Sequence, residues 1–247
     1  MKRKFSKNYR VCAVVSCLLL ANQWVSAHDA IKTGPVWEGT GGDNAIVIGH
    51  GCEAKEKPIQ AQSVVFPTVN PELIASDGHT IANLSDIIGE SLYAGQADLI
   101  QDKNIFQHQD EKHDALGNTI GFFSTNGNLQ TNLQGRVPFQ FATPNFTKTT
   151  CATALRIEVA VADVCILAAP TIRAAKVNLW IPDNGSQYSL LGKAQNVDGI
   201  GEPPVIHVKR NLVKNPPDAS CGAGFTVTVR PSAADVDANL GIPGWHY

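Results

Sequence analysis

Leu155-Arg156-Ile157-Glu158-Val159-Ala160-Val161 is the stretch on which the fold class turns. Leu155, Ile157, Val159 and Val161 alternate with Arg156, Glu158 and Ala160, the period of a strand with one buried face. Phe225, Val227 and Val229 alternate with Thr226, Thr228 and Arg230 in the same way. Further short runs of strand character lie at 45–48, 63–66, 139–142, 175–181, 188–191 and 205–208, each bounded by Gly, Pro, Asn or Asp. No long stretch keeps a 3.6-residue period, which argues against an α/β fold. Many short strands with turn punctuation predict an all-β, antiparallel β-sandwich.

Between about 70 and 136 the pattern changes. This stretch is polar, carries Gly117-Asn118 and Asn126-Gly127, and has weak periodicity apart from a short helical signal around 84–93. It reads as a long, mostly irregular insertion in a single domain covering 28–247, with no repeat or Pro-rich linker to divide it.

Residues 1–27 read as a secretory signal. Lys2, Arg3, Lys4, Lys7 and Arg10 precede an apolar run over 11–21, and Val25 and Ala27 suit the cleavage site. The run is too short to span a bilayer, so the processed chain is expected to be exported, periplasmic or at the cell surface, and not membrane-spanning. Removing this segment leaves 15 basic against 22 acidic residues, a net charge of −7. An acidic chain without a basic block is a poor match for phosphate backbones, so nucleic acid is not an expected partner.

Cleavage also removes Cys12 and Cys17. Cys52, Cys151, Cys165 and Cys221 remain, an even number that in an oxidising compartment predicts two disulfides, with the pairing open among three connectivities. Their spacing does not suit a zinc knuckle.

The chain has no Gly-x-Ser-x-Gly elbow, His-Glu-x-x-His pair, Walker loop or Gly-x-Gly-x-x-Gly turn. Histidine is what it offers: His28, His50, His79, His108, His113, His207 and His246. Imidazole suits copper, zinc, iron and nickel, and one Met leaves little soft sulfur, so nitrogen is the expected ligand. His28, as a first residue, would present its α-amine and ring nitrogen as a chelating pair suited to Cu(II). His50, in Gly49-His50-Gly51-Cys52, sits where a strand ends beside a half-cystine, a place that holds a side chain rigidly. His108 and His113 lie in the charged run 107–114; five residues apart, they share no face of a helix or strand, and only a loop would bring both to one ion. Glu38 and Glu53 are weaker oxygen candidates. His79, His207 and His246 read as turn, strand and tail residues. The oxygen-rich loops 183–186 and 126–128 offer Ca²⁺ a further place, without the spaced acidic ligands of a calcium loop.

Gly49-His50-Gly51-Cys52 after a short strand, then Gln62-Ser63-Val64-Val65-Phe66-Pro67, with a histidine at the expected mature N-terminus, resembles the opening of the YcnI-type exported copper-binding β-sandwich proteins. That resemblance implies that His28 chelates Cu(II) through amine and ring. The general character of the chain, exported, four-cysteine and β-rich with a polar insertion, is similar to the CorA and MopE group of copper-repressible surface proteins of methane-oxidising bacteria. That group implies copper held by two histidines and a kynurenine two residues before the first. Here Ile48 stands in that place, which leaves His50 with His108 or His113.

The expected function is an exported copper-binding protein for acquisition, storage or delivery, served by a membrane-bound or periplasmic redox partner. Its metal candidates in order are His50, His28, His108 and His113. The alternatives are a copper-dependent oxidoreductase with an N-terminal histidine brace, and a metal-free adhesion or ligand-binding module whose insertion forms the contact surface.

Overall fold

The alternating run 155–161 is a corner where the chain passes from one sheet to another. The computed structural model describes residues 28–52, 57–89, 97–169, 176–195 and 200–242. In chain order its strands begin with β1 (Ala30–Ile31), β2 (Val36–Trp37), β3 (Gly41–Ile48), β4 (Ala61–Val65) and β5 (Glu72–Ala75). Next come β6 (Ala97–Leu99), β7 (Phe106–His113), β8 (Thr119–Gly127), β9 (Gly135–Ala142) and β10 (Ala152–Glu158). The last are β11 (Ala160–Val164), β12 (Val177–Trp180), β13 (Ile200–Gly201), β14 (Val205–Lys209) and β15 (Phe225–Arg230). They form sheets ordered β1-β3-β9-β6, β2-β14-β10-β15-β5 and β13-β12-β11-β4-β8-β7, with most pairings antiparallel.

The corner falls at Val159, whose N–H donates to the Pro204 carbonyl at 3.0 Å instead of continuing either ladder. Leu155 and Ile157 belong to the five-stranded sheet and Val161 to the six-stranded one. All of them, with Val159, stay in one core alongside Ile46 and Ile48 of β3, Val64, Phe122 and Phe139. Burying each such side chain is worth about 1.5–3 kcal/mol, so the apolar alternation holds the sheets face to face. The all-β sandwich expected from the sequence is the fold observed.

Ala160, Ala162 and Val164 face the other way, yet are equally buried. They pack in a second core with Val177, Leu179, Tyr188, Val236 and Leu240, because two helices, α1 (Gln187–Gln195) and α2 (Ala233–Asn239), cover the outer face of the six-stranded sheet. The run 188–191, expected as a strand, lies in α1. The Ser186 hydroxyl accepts from the Ser189 N–H at 3.1 Å and caps the helix, while Tyr188 is buried and Leu190 exposed.

The stretch 70–136 is no appendage. It supplies β5, β6, β7 and β8 to all three sheets, and its helical signal is a single 3₁₀ turn at Leu84–Asp86, with 90–93 outside the described residues. Two disulfides, Cys52–Cys165 and Cys151–Cys221, settle the open pairing and match a chain matured in an oxidising compartment. No helix among the described residues is long and apolar enough to cross a membrane.

Candidate functional site

β3 ends at Ile48, and Gly49-His50-Gly51 then carries the chain to Cys52, tied to the end of β11 through Cys165. Gly51 is required there: a Cβ would lie 2.1 Å from the Lys57 carbonyl oxygen. The His50 ring is hydrogen-bonded through Nδ1 to the Gly51 carbonyl. It stands edge-on to the buried indole of Trp180, the last residue of β12, at 6.4 Å between centroids. His28 stands edge-on to the same indole at 5.0 Å. Gly201, paired with Trp180 across β12 and β13, makes this approach fit; a Cβ there would meet Trp180 at 2.3 Å and His28 Nδ1 at 2.4 Å. Two histidines from distant parts of the sequence thus share one aromatic neighbour.

Beneath them lies a buried carboxyl pair. The Trp180 indole N–H donates to Asp163 Oδ2 at 3.0 Å, and Gln62 Nε2 donates to Asp163 Oδ1 at 2.9 Å and Asp29 Oδ2 at 3.2 Å. Asp29 and Asp163 are 4% and 0% exposed. Burial pushes both carboxyls above their ordinary range; for Asp29 the neighbouring Asp163 charge adds to it. Among the described residues no Lys or Arg is ion-paired with either. The two carboxyls are hydrogen-bonded to each other, which requires a proton on one of them, so the pair shares a proton beneath the histidines.

Asp163 belongs to a polar row across the inner face of the six-stranded sheet. Gln109 pairs with Ser124, Ser124 with Gln62, Gln62 with Asp163 and Asp163 with Asn178, and all are buried. Both amide atoms of Asn178 and Gln62 Oε1 lack a hydrogen-bond partner.

His108 and His113 lie elsewhere. They sit on β7, the far edge strand of the sheet, four strand spacings or about 19 Å from β12. His108 leans on Phe123, with ring centroids 5.9 Å apart, and His113 Nε2 approaches Glu111 at 3.2 Å. The structure therefore brings neither to the Trp180 indole beside which the His50 ring stands. Residues 107–113 of that run are strand and not the loop that would let the two meet. Glu38 is fully engaged by the N–H groups of Phe146 and Asn211 and the Asn215 amide, at 2.7–2.9 Å, leaving no ligand. Glu53 and His246 lie outside the described residues. His79 binds Asp77 at 2.6 Å, and His207 lies on β14 beside Arg156, burial holding its ring below the usual imidazole range. The 183–186 loop uses Asn184 to anchor Pro231 and receive the Ser186 N–H. Among the described residues no three His, Cys, Asp or Glu side chains converge on one metal position. The donor set at Trp180 is thus two imidazoles, to which an α-amine is added if cleavage exposes His28.

A separate cleft of about 400 Å³ opens beyond Gly201, lined by Arg156, Glu158, Glu202 and Arg230, the last ion-paired with Glu72 at 2.7 Å. Its charges are mixed, and burial holds Glu158 above the ordinary carboxylate range.

The chain matches no protein-family model and no curated protein. Asp29, Asp163, Gln62 and Trp180 escaped the reading of the sequence. A signal was present in Asp163, the one acid in the otherwise apolar run 159–166, since a charge inside a two-faced buried strand needs a reason.

Proposed function

We propose that the protein is an exported copper carrier that takes one copper ion at His28 and His50. The observation that supports this reading is that each of those two histidines stands edge-on to Trp180, whose indole is bonded to the buried Asp163. Two imidazoles, with the α-amine of His28, make the nitrogen-rich donor set that suits Cu(II), and the shared proton of the carboxyl pair beneath them can be given up when a cation binds. The carboxyls act at one remove: Asp163 fixes the indole against which both rings rest, a supporting role of the kind that tunes metal affinity. His108 and His113 leave the proposed site.

The test begins with protein exported by its own N-terminal segment, its intact mass and first residue determined, and its metals measured by elemental analysis. About one copper per chain is expected, with His50→Ala and His28→Ala each lowering copper affinity by orders of magnitude while the fold persists. Asp163→Asn should cost about 10- to 100-fold. His108→Ala and His113→Ala should bind as the parent does. Copper affinity unchanged in His50→Ala would overturn the assignment, and peroxide-dependent turnover by the loaded protein would move the reading to an oxidoreductase.

A further inference from the structure

Far from the histidines, the structure commits two buried charges to holding one surface turn. Residues 211–215 follow β14. Arg210 is 1% exposed and Glu38 8%. Arg210 Nε donates to the Asn215 carbonyl at 2.7 Å and Nη2 to Asn215 Oδ1 at 3.3 Å, with Nη1 held by the Thr150 carbonyl at 2.7 Å. Glu38 Oε1 accepts the Asn211 N–H at 2.7 Å and Oε2 the Asn215 amide at 2.9 Å. Inside the turn, Asn211 Oδ1 receives the N–H groups of Val213 and Lys214, and the Asn211 carbonyl that of Asn215. Both ends of the turn are clamped to the body of the domain.

What this clamp presents is apolar. Leu212 is 54% exposed and Val213 91%. Trp37, 52% exposed, lies on β2, whose register places it opposite Lys209, three residues before Leu212. A mobile loop carrying two aliphatic side chains would need no explanation, since single exposed hydrophobics are common. A turn fixed by a buried Arg and a buried Glu is different, because rigidity removes the ordering cost that a contact would otherwise carry.

The rim of this apolar tip is basic. Lys209 and Lys214 flank it and are exposed, as is Lys148, next to Thr147, whose carbonyl accepts Arg210 Nη2 at 3.0 Å. The nearby acid Asp218 turns its carboxylate to the Ser220 N–H and hydroxyl, at 2.8 and 2.6 Å. Although the chain as a whole is acidic, this exposed tip of Val, Leu and Trp has three exposed lysines near it and locally matches an anionic lipid surface, where the apolar side chains enter the headgroup boundary and ammonium groups meet phosphates. We propose that the turn 211–215, with Trp37, docks the protein reversibly on an anionic membrane surface. This docking does not depend on copper.

The test is co-sedimentation of the exported, mass-verified protein with phosphatidylcholine vesicles, with and without phosphatidylglycerol. The parent should sediment with the anionic vesicles and stay in solution with the neutral ones. Leu212→Ser with Val213→Ser should weaken that binding by about tenfold or more, with the melting temperature unchanged because both side chains are exposed. Lys209→Gln with Lys214→Gln should lower it by a similar factor and flatten its salt dependence. A parent that ignores anionic vesicles, or one that binds them equally after the double Ser substitution, would overturn the proposal. So would a protein partner that captures the turn in the absence of any vesicle binding.

Discussion

A single carboxyl in α2 shows how much one buried group can carry. Asp235 is 4% exposed; its Oδ1 accepts from Asn239 Nδ2 at 2.6 Å and its Oδ2 has no partner. Burial pushes it from 3.8 up to about 6. Between those values the folded chain keeps a proton that the unfolded chain has released, so this group's contribution to stability falls as pH rises through the window and is constant above it. Asp235→Asn keeps the acceptor for Asn239 and removes the charge. It should be more stable than the parent by about 1–2 kcal/mol at pH 7, after allowance for residual solvent, and equal to it below pH 3.8. Urea unfolding at both pH values checks this; a gap of the same size in each would show that burial of charge is not the cause. At this scale the sequence is uneven in what it reveals. His50 stands out through Gly49, Gly51 and Cys52, and His28 is singled out only by the expected cleavage before it. Asp29 does not, because its partners Gln62 and Asp163 meet it only when separate sheets pack together.

Among the elements, β7 was the least legible. Its residues 107–113 are polar on both faces, so no period of two is visible, and the run reads as a solvated loop. In the fold, Lys112 turns inward across the edge of the sheet and its ammonium donates to Ser63 Oγ at 2.6 Å, to the Asn239 carbonyl, and to the Gly241 carbonyl at 3.1 Å. Three N–H groups meet three acceptors, and the end of α2 is capped by a strand distant in sequence. Lys112→Met should cost about 2–4 kcal/mol, because it strands those buried acceptors, whereas neighbouring His113→Ala should stay within about 0.5 kcal/mol. Chemical denaturation of both decides it: a Lys112→Met as stable as the parent would mean that water replaces the ammonium there. The run 155–161 was legible for the opposite reason, since its apolar alternation continues across the bend at Val159. What its pattern did not disclose was the helical cover on Ala160 and Ala162. Alanine reads as neutral on either face, and only the packing of Tyr188 and Val236 makes those positions core.

For the whole molecule, the number of half-cystines is a property of the sequence and their pairing a property of the fold. Cys52–Cys165 closes a separation of 113 residues and Cys151–Cys221 one of 70. Loop-closure entropy makes each worth about 4–5 kcal/mol, nearly the same because the dependence on length is logarithmic. Stability alone would therefore not distinguish them. Position does: Cys52 lies two residues from His50, while Cys151–Cys221 joins the start of β10 to the 3₁₀ turn Ala219–Cys221, remote from Trp180. Replacing Cys52 and Cys165 by Ser should lower stability by about 4–5 kcal/mol and, on the proposal that copper sits at His28 and His50, also weaken copper binding, because the Gly49–Gly51 turn loses the tether that holds His50 against the indole. Replacing Cys151 and Cys221 should lower stability by a like amount and leave copper affinity unchanged in the fraction that remains folded. Calorimetric copper titration of both double variants in a stabilising osmolyte separates the two effects. Equal losses of affinity would place the metal elsewhere than at His50, while a loss confined to the Cys52–Cys165 pair would make that disulfide the link between export and cargo, since His50 would be fixed in place only after the chain has been oxidised.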